Sequence, residues 1–244
     1  MRFEHVDGRA ASKRVLREEI LVVLSLSLLA SAVYAIIYQL QTPLKGATVA
    51  VYPQVGLATQ IADLVFGLAP VWLVLYLVKR SGEGVGSLGL TLDDPVGDAT
   101  AGVVLAIVVG AVGFGIYMIA VALGLNRFVV PVPPIGHWWT VPILVLGAVQ
   151  TALLEEIVDV GYLIPRLRQI GWSAAAALGA SALLRGTYHL YQGWGGFAGN
   201  VALGLFFGWN FLRRGRTWPL IVAHSLLDIG AGVGYLLLRK HLPG

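Results

Sequence analysis

The chain has 244 residues, of which 57% are apolar and only 12% charged, with a mean hydropathy of +0.78 and a formal charge of +4. A soluble domain carries about 25% charged residues, and a core of this size cannot hide so many apolar groups from water, so lipid must cover the remainder. The positive charge does not point to nucleic acid, because the basic residues sit at the ends of apolar runs rather than on one polar face. The absence of cysteine removes disulfides, iron–sulfur clusters, thiolate metal sites and thiol nucleophiles.

A membrane-crossing helix needs about 20 mostly apolar residues, and the composition predicts an all-α, polytopic bundle with about seven. In chain order the runs are Ile20 to Leu40, Leu57 to Val78 (holding Asp63), Ala99 to Leu125, Trp139 to about Ile164, Trp172 to about Tyr191, Gly193 to Leu212, and Thr217 to Leu238. The small residues Ala30-Ser31-Ala32 in the first run resemble a cleavage site. The run continues to Tyr38 behind a long basic leader, so it reads as an uncleaved anchor. The domain reading is a basic cytoplasmic tail over 1–19, then helices over 20–139, then a bundle over 140–240 continuous with them. Ser81 to Asp98, with Gly82-x-Gly84-x-Gly86, follows no strand and reads as a flexible loop rather than a nucleotide site. Gly204-x-x-x-Gly208 reads as a helix-packing pattern.

Orientation follows the Lys/Arg asymmetry. With the N-terminus inside, Arg2, Arg9, Lys13, Arg14, Arg17, Lys79, Arg80, Arg166, Arg168, Arg213, Arg214 and Arg216 are inner, which is 12 residues, against 4 outer ones, Lys45, Arg127, Arg239 and Lys240. The expectation is a multi-pass protein of the cell membrane with a cytoplasmic N-terminus. Trp72, Tyr76, Trp138, Trp139 and Trp218 lie near the expected interfaces.

The informative residues are ionisable groups within apolar runs, where a charge is costly and therefore a functional candidate. Glu155 and Asp159, Arg185 and His189, and His224 and Asp228 are each four residues apart, so each pair shares a helix face; Glu156 adjoins the first pair. The packing that hides all three pairs from lipid turns them toward one interior cavity. A carboxylate and an imidazole there can deprotonate water and then protonate a leaving group, and a second imidazole can stabilise an oxyanion. Glu155, His189 and His224 could instead bind zinc, or the carboxylates and imidazoles could relay protons in a transporter. Asp63, His137, Arg166 and Arg168 read as packing or interfacial residues, and Arg185 as one partner of an interhelical ion pair with Asp159, or else with Glu155 or Glu156.

Three segments carry a resemblance. Glu155-Glu156-Ile-Val-Asp-Val-Gly161, Arg185-Gly-Thr-Tyr-His189 and His224-Ser-Leu-Leu-Asp228 resemble, in order, the three motifs of the CPBP family of CAAX prenyl proteases and bacteriocin-processing proteins. The resemblance implies a glutamate-dependent intramembrane endopeptidase in which Glu155 and His189 activate water. Glu156 supports that pair, and His224 and Asp228 form the oxyanion side. It also implies no organic cofactor and a peptide or protein substrate, possibly lipid-modified, met in the lipid; a metal-independent mechanism is favoured, zinc being the alternative. The rivals are a non-catalytic protein of the same fold and, more distantly, a proton-coupled transporter, which should show two similar halves. None are visible in the sequence. Two positions depart from the family pattern. The first motif usually ends in Arg, often after an aromatic residue, where this chain has Val160 and Asp159, and the second usually has Phe where this chain has Arg185. Counted from the inner ends of straight helices, His224 lies about 10 Å deep and His189 about 25 Å, a mismatch for a shared site.

Overall fold

The computed structural model describes residues 12–42, 48–51, 56–133 and 135–241; Arg2, Arg9, Lys45 and most of the expected N-terminal tail lie outside them. The chain is a helical bundle of α1 (Lys13–Ser25), α2 (Leu28–Gln41), α3 (Leu57–Gly67), α4 (Ala69–Arg80), α5 (Pro95–Ala122), α6 (Thr140–Glu155), α7 (Ile164–Gln169), α8 (Ala174–Tyr188), α9 (Trp194–Arg214) and α10 (Trp218–Leu238). A π-helical segment, Glu156–Leu163, joins α6 to α7 without a break, and two three-residue strands, β1 (Thr48–Ala50) and β2 (Phe128–Val130), pair in parallel.

The chain is a multi-pass membrane protein, and the count of seven crossings is not confirmed by length and composition of its helices. Among the described residues four helical stretches are long and apolar enough to cross: Leu57–Arg80, Pro95–Ala122, Thr140–Gln169 and Trp218–Leu238. A fifth exists if α1 and α2, bent by 49° at Leu26–Ser27, count as one. The expected fifth crossing shortens to the 15 residues of α8. Ser173 caps its start by accepting from the Ala176 N–H, and Gly193, at φ +116°, turns the chain after His189. The expected sixth, α9, is 21 residues long but carries Asn200, Asn210 and several glycines and tryptophans. The third begins earlier than expected, because Asp94 caps the helix through the Gly97 N–H and Pro95 takes the first position. Ile107, Val108, Val112, Phe114, Ile116 and Ile119 on α5 are all exposed, as side chains facing lipid should be.

Without a hydrophobic force between helices in lipid, close packing of small residues holds them. A Cβ added at Gly204 would meet Ala182 at 2.9 Å, and one at Gly208 would meet Leu178 at 2.5 Å, so the small-residue pattern on α9 is where α8 lies. On the other side α5 packs on α10, where a Cβ at Gly102 would meet Val222 at 2.6 Å.

The glycine-rich segment before α5, expected as a flexible loop, is folded into the bundle. Leu88 is buried, its carbonyl accepts from the Thr217 hydroxyl at 2.6 Å, and the Gly89 carbonyl accepts from the Thr217 N–H at 2.9 Å. Gly161 of the π-segment seats against this plug: a Cβ there would lie 2.8 Å from the Leu88 carbonyl and 3.2 Å from the Thr217 hydroxyl. Gly161 precedes the end of α7 by eight residues, so α10 starts about 12 Å further into the bundle than α8 does. The depth mismatch disappears. His189 stands about 22 Å from the start of α8, and His224 reaches the same level from its recessed start.

The helices alternate between two ends. Lys13, Arg14, Arg17, Lys79, Arg80, Arg166, Arg168, Arg213, Arg214 and Arg216 cap one end, and among the described residues only Arg127, Arg239 and Lys240 cap the other. Two cross-links fasten the basic end: Arg166 to Glu83 at 2.6 Å, and Arg216 to both Asp98 oxygens at 2.5 Å. At the far end Arg127 donates to Gln39, the Thr42 carbonyl and the Tyr191 carbonyl, joining α2 to the turn after α8.

Candidate active site

The π-helical segment begins at the carboxylates. An α-helix ladder of i→i+4 bonds gives way at Glu156 to wider turns, which are frequent at functional sites. Glu155, Glu156 and Asp159 are all buried, at 6%, 0% and 0% exposure. They face α8 and α10.

Arg185, itself fully buried, enters between them from α8. Its Nη2 lies 2.5 Å from Glu156 Oε1, 3.2 Å from Glu155 Oε2 and 3.1 Å from His224 Nδ1. Gly204 makes room for it, since a Cβ there would press on the arginine Cδ at 3.2 Å, and the Phe207 ring lies under the guanidinium at 5.5 Å. His224 Nδ1 is also 2.7 Å from Glu156 Oε1, and its Nε2 is 3.6 Å from Asp228 Oδ2. Glu156 is thus the hub: a carboxylate held by a guanidinium on one helix and an imidazole on another.

Glu155 is held differently. Its Oε2 accepts from the Tyr188 hydroxyl at 2.8 Å besides Arg185. Tyr188 belongs to this buried cluster, and the sequence does not single it out: it stands directly before His189, and nothing in its spacing distinguishes it from a packing aromatic. His189 closes α8 with its Nδ1 3.1 Å from the Arg185 carbonyl. A carbonyl only accepts, so Nδ1 carries the proton and Nε2 presents its lone pair.

Glu155, His189, His224 and Asp228 line one cavity of about 680 Å³ between α5, α6 and α10. Glu156 and Arg185 lie behind this wall. Asp159 stands apart: no donor reaches either carboxylate oxygen among the described residues, while Nε and Nη1 of Arg185 also lack acceptors. Ser181 gives its proton to the Asp159 main-chain carbonyl instead. The interhelical contact expected for Arg185 falls on Glu155 and Glu156, and Asp159 feels the guanidinium only through space. Asp63 is exposed on α3 and His137 stacks on Trp139 at 4.1 Å; neither lines the cavity.

With this geometry in view, the comparison with known families gives one result. Residues 137–230, 94 of the 244, match the family model described as type II CAAX prenyl endopeptidase Rce1-like. The resemblance to the CPBP family holds. No curated protein and no solved structure matches the chain. The matched stretch contains all three CPBP-like motifs and every residue of the cluster, so the family signal and the buried polar network coincide. The match supports a CAAX-protease-like membrane peptidase.

Among the described residues no three His, Asp or Glu side chains converge as a ligand set. The space between the carboxylates is filled by a guanidinium, which supplies the positive charge that a metal would otherwise bring.

Proposed function

We propose that the protein is a membrane-embedded endopeptidase of CPBP type that hydrolyses a peptide bond with a water activated by Glu155 and His189. The observation that carries this reading is the single cavity lined by Glu155, His189 and His224, with Glu155 fixed by two donors through one oxygen only. Its other oxygen, Oε1, and His189 Nε2 are the two acceptors left for a water in the cavity.

In the reaction the water places its oxygen on the scissile carbonyl carbon and gives a proton to Glu155. The carbonyl oxygen becomes an oxyanion. His224 acts as an imidazolium flanked by Glu156 and Asp228: Nδ1–H is directed at Glu156, and Nε2–H, beside Asp228, donates to that charge. As the intermediate collapses, the C–N bond breaks and the proton held by Glu155 passes to the leaving amine. Arg185 does not touch substrate. It is a positioning residue that holds both glutamates, and through Glu156 the second histidine, in one rigid unit, and it stands in for the arginine that the first motif lacks at Val160.

The reading requires no metal. Purified protein should keep its activity after exhaustive chelation. Glu155→Gln and His189→Ala should each lower the rate by about 10²–10⁴ while the protein still accumulates in the membrane. Full activity in Glu155→Gln, or activity lost to a chelator and restored by zinc, contradicts the mechanism.

A further inference from the structure

Arg127 reads from the sequence as a cation of the outer interface, where a long side chain reaches for water. In the fold it turns inward and is fully buried. Its Nη1 donates to Gln39 Oε1 at 2.8 Å and to the Tyr191 carbonyl at 2.7 Å, and its Nη2 donates to the Thr42 carbonyl. The Tyr38 ring lies 4.9 Å from the guanidinium. Taking a guanidinium out of water is costly, so what it fastens is informative. Tyr191 is two residues past His189, in the turn Leu190–Gln192 that leads into α9.

The same short loop between α5 and β2 grips that turn at three further points. The Arg127 N–H donates to the Gln192 carbonyl at 2.7 Å, the Gly195 N–H donates to the Leu125 carbonyl at 3.2 Å, and the Gly196 N–H donates to Asn126 Oδ1 at 2.6 Å. The fit is close: a Cβ at Gly195 would lie 2.7 Å from Asn126 Oδ1. His189 closes α8, and a terminal helical residue frays unless the chain beyond it is tied. Its Nδ1 bond to the Arg185 carbonyl ties the ring back to α8. The Tyr191 ring, whose main chain Arg127 holds, stands 6.2 Å from the imidazole in a stacked orientation.

We propose that Asn126 and Arg127, which precede the stretch matching the family model, are positioning residues for His189. They tie the turn after it to the α5–β2 loop and to α2, and so fix the direction in which Nε2 faces the cavity. Neither touches the reacting atoms. The catalytic use of His189 rests on the peptidase reading, whereas its immobilisation does not.

The test reads the ring itself. The full chain has five histidines; their ring nitrogens are isotope-labelled and observed by NMR, with His189 assigned by the signals lost in His189→Gln. In the wild type the His189 nitrogens should give separate signals, for a protonated Nδ1 and a lone-pair Nε2. Arg127→Met should broaden or merge that pair while the His224 signals hold their positions. Arg127→Lys, which keeps the charge but not the planar fork, should behave like Arg127→Met. In cells, cleaved termini that depend on Glu155 should form about 10–100-fold more slowly with Arg127→Met at equal protein level, as a misplaced catalytic group implies. The proposal is overturned if the His189 signals are unchanged in Arg127→Met, if the His224 signals loosen equally, or if Arg127→Lys restores the wild-type spectrum. Should Arg127→Met not accumulate, Asn126→Ala loosens the same turn from its other side, and the same change at His189 alone is expected. Failure of the peptidase reading shows separately, as an absence of any Glu155-dependent termini in cells while the His189 signals change as expected.

Discussion

Arg185 Nη2 lies 2.5 Å from Glu156 Oε1, with both side chains fully buried and on different helical segments. The same nitrogen reaches Glu155 and His224, so one guanidinium ties together residues from all three CPBP-like motifs. Breaking a buried pair by removing one partner leaves an uncompensated charge. Arg185→Met should therefore destabilise by about 3–5 kcal/mol, read as a lower unfolding midpoint of the purified protein. Arg185→Lys should rescue only part of this, because a compact ammonium lacks the planar delocalised group that lies over the Phe207 ring. An unchanged midpoint in Arg185→Met contradicts the clamp.

Asp159 and Arg185 occupy positions where the family pattern carries aromatic residues, and each has polar atoms without partners. Asp159→Phe should be destabilising while Arg185 is present, and Arg185→Phe likewise while Asp159 is present. The double change should cost less than the sum of the two. A double-mutant cycle on thermal unfolding checks this, with coupling of at least about 0.5 kcal/mol expected between interacting neighbours. Strict additivity contradicts it.

Tyr188→Phe removes one of the two donors to Glu155 Oε2 and little volume. A hydrogen bond to a charged group contributes about 1.5–3 kcal/mol. If that contribution is felt in the transition state, turnover should fall about 10–100-fold with near-normal accumulation in the membrane. Loss confined to KM, with the turnover number intact, would assign Tyr188 to the cleft wall and not to Glu155.

Gly186 fits α8 against α9 closely: a Cβ there would lie 2.4 Å from Val201 and 2.9 Å from the Phe197 carbonyl. Gly186→Leu should force the helices apart directly beside Arg185 and His189. It should abolish activity and lower stability together, in contrast to Glu155→Gln, which should abolish activity alone.

The helical class, and a cavity that Glu155, His189, His224 and Asp228 share, were legible because ionisable residues in apolar runs have few ways to be hidden; Asp159 and Arg185, expected to face the same cavity, do not line it. Interhelical contact of Arg185 with the glutamates was legible for the same reason, since a guanidinium in hydrocarbon needs carboxylates. What the sequence concealed depended on long-range packing. The π-segment at Glu156 has no compositional mark. The plug around Leu88 looked like a glycine-rich loop because its burial depends on Thr217, 129 residues later. The shortened α8 followed from that same arrangement: a turn at Gly193 and a recessed α10 bring His189 and His224 level, which no count from straight helix ends could give. The count of seven crossings is not confirmed: α8 is short and α9 carries polar residues, although both pack within the bundle and run between its two ends.

The most direct test of the central claim compares membrane-peptide termini in cells carrying the wild-type protein, Glu155→Gln or His189→Ala, all at equal protein level. The account predicts that a defined set of cleaved termini present with the wild type disappears in both variants, with uncut precursors accumulating in their place. Identical sets of termini in all three would contradict it.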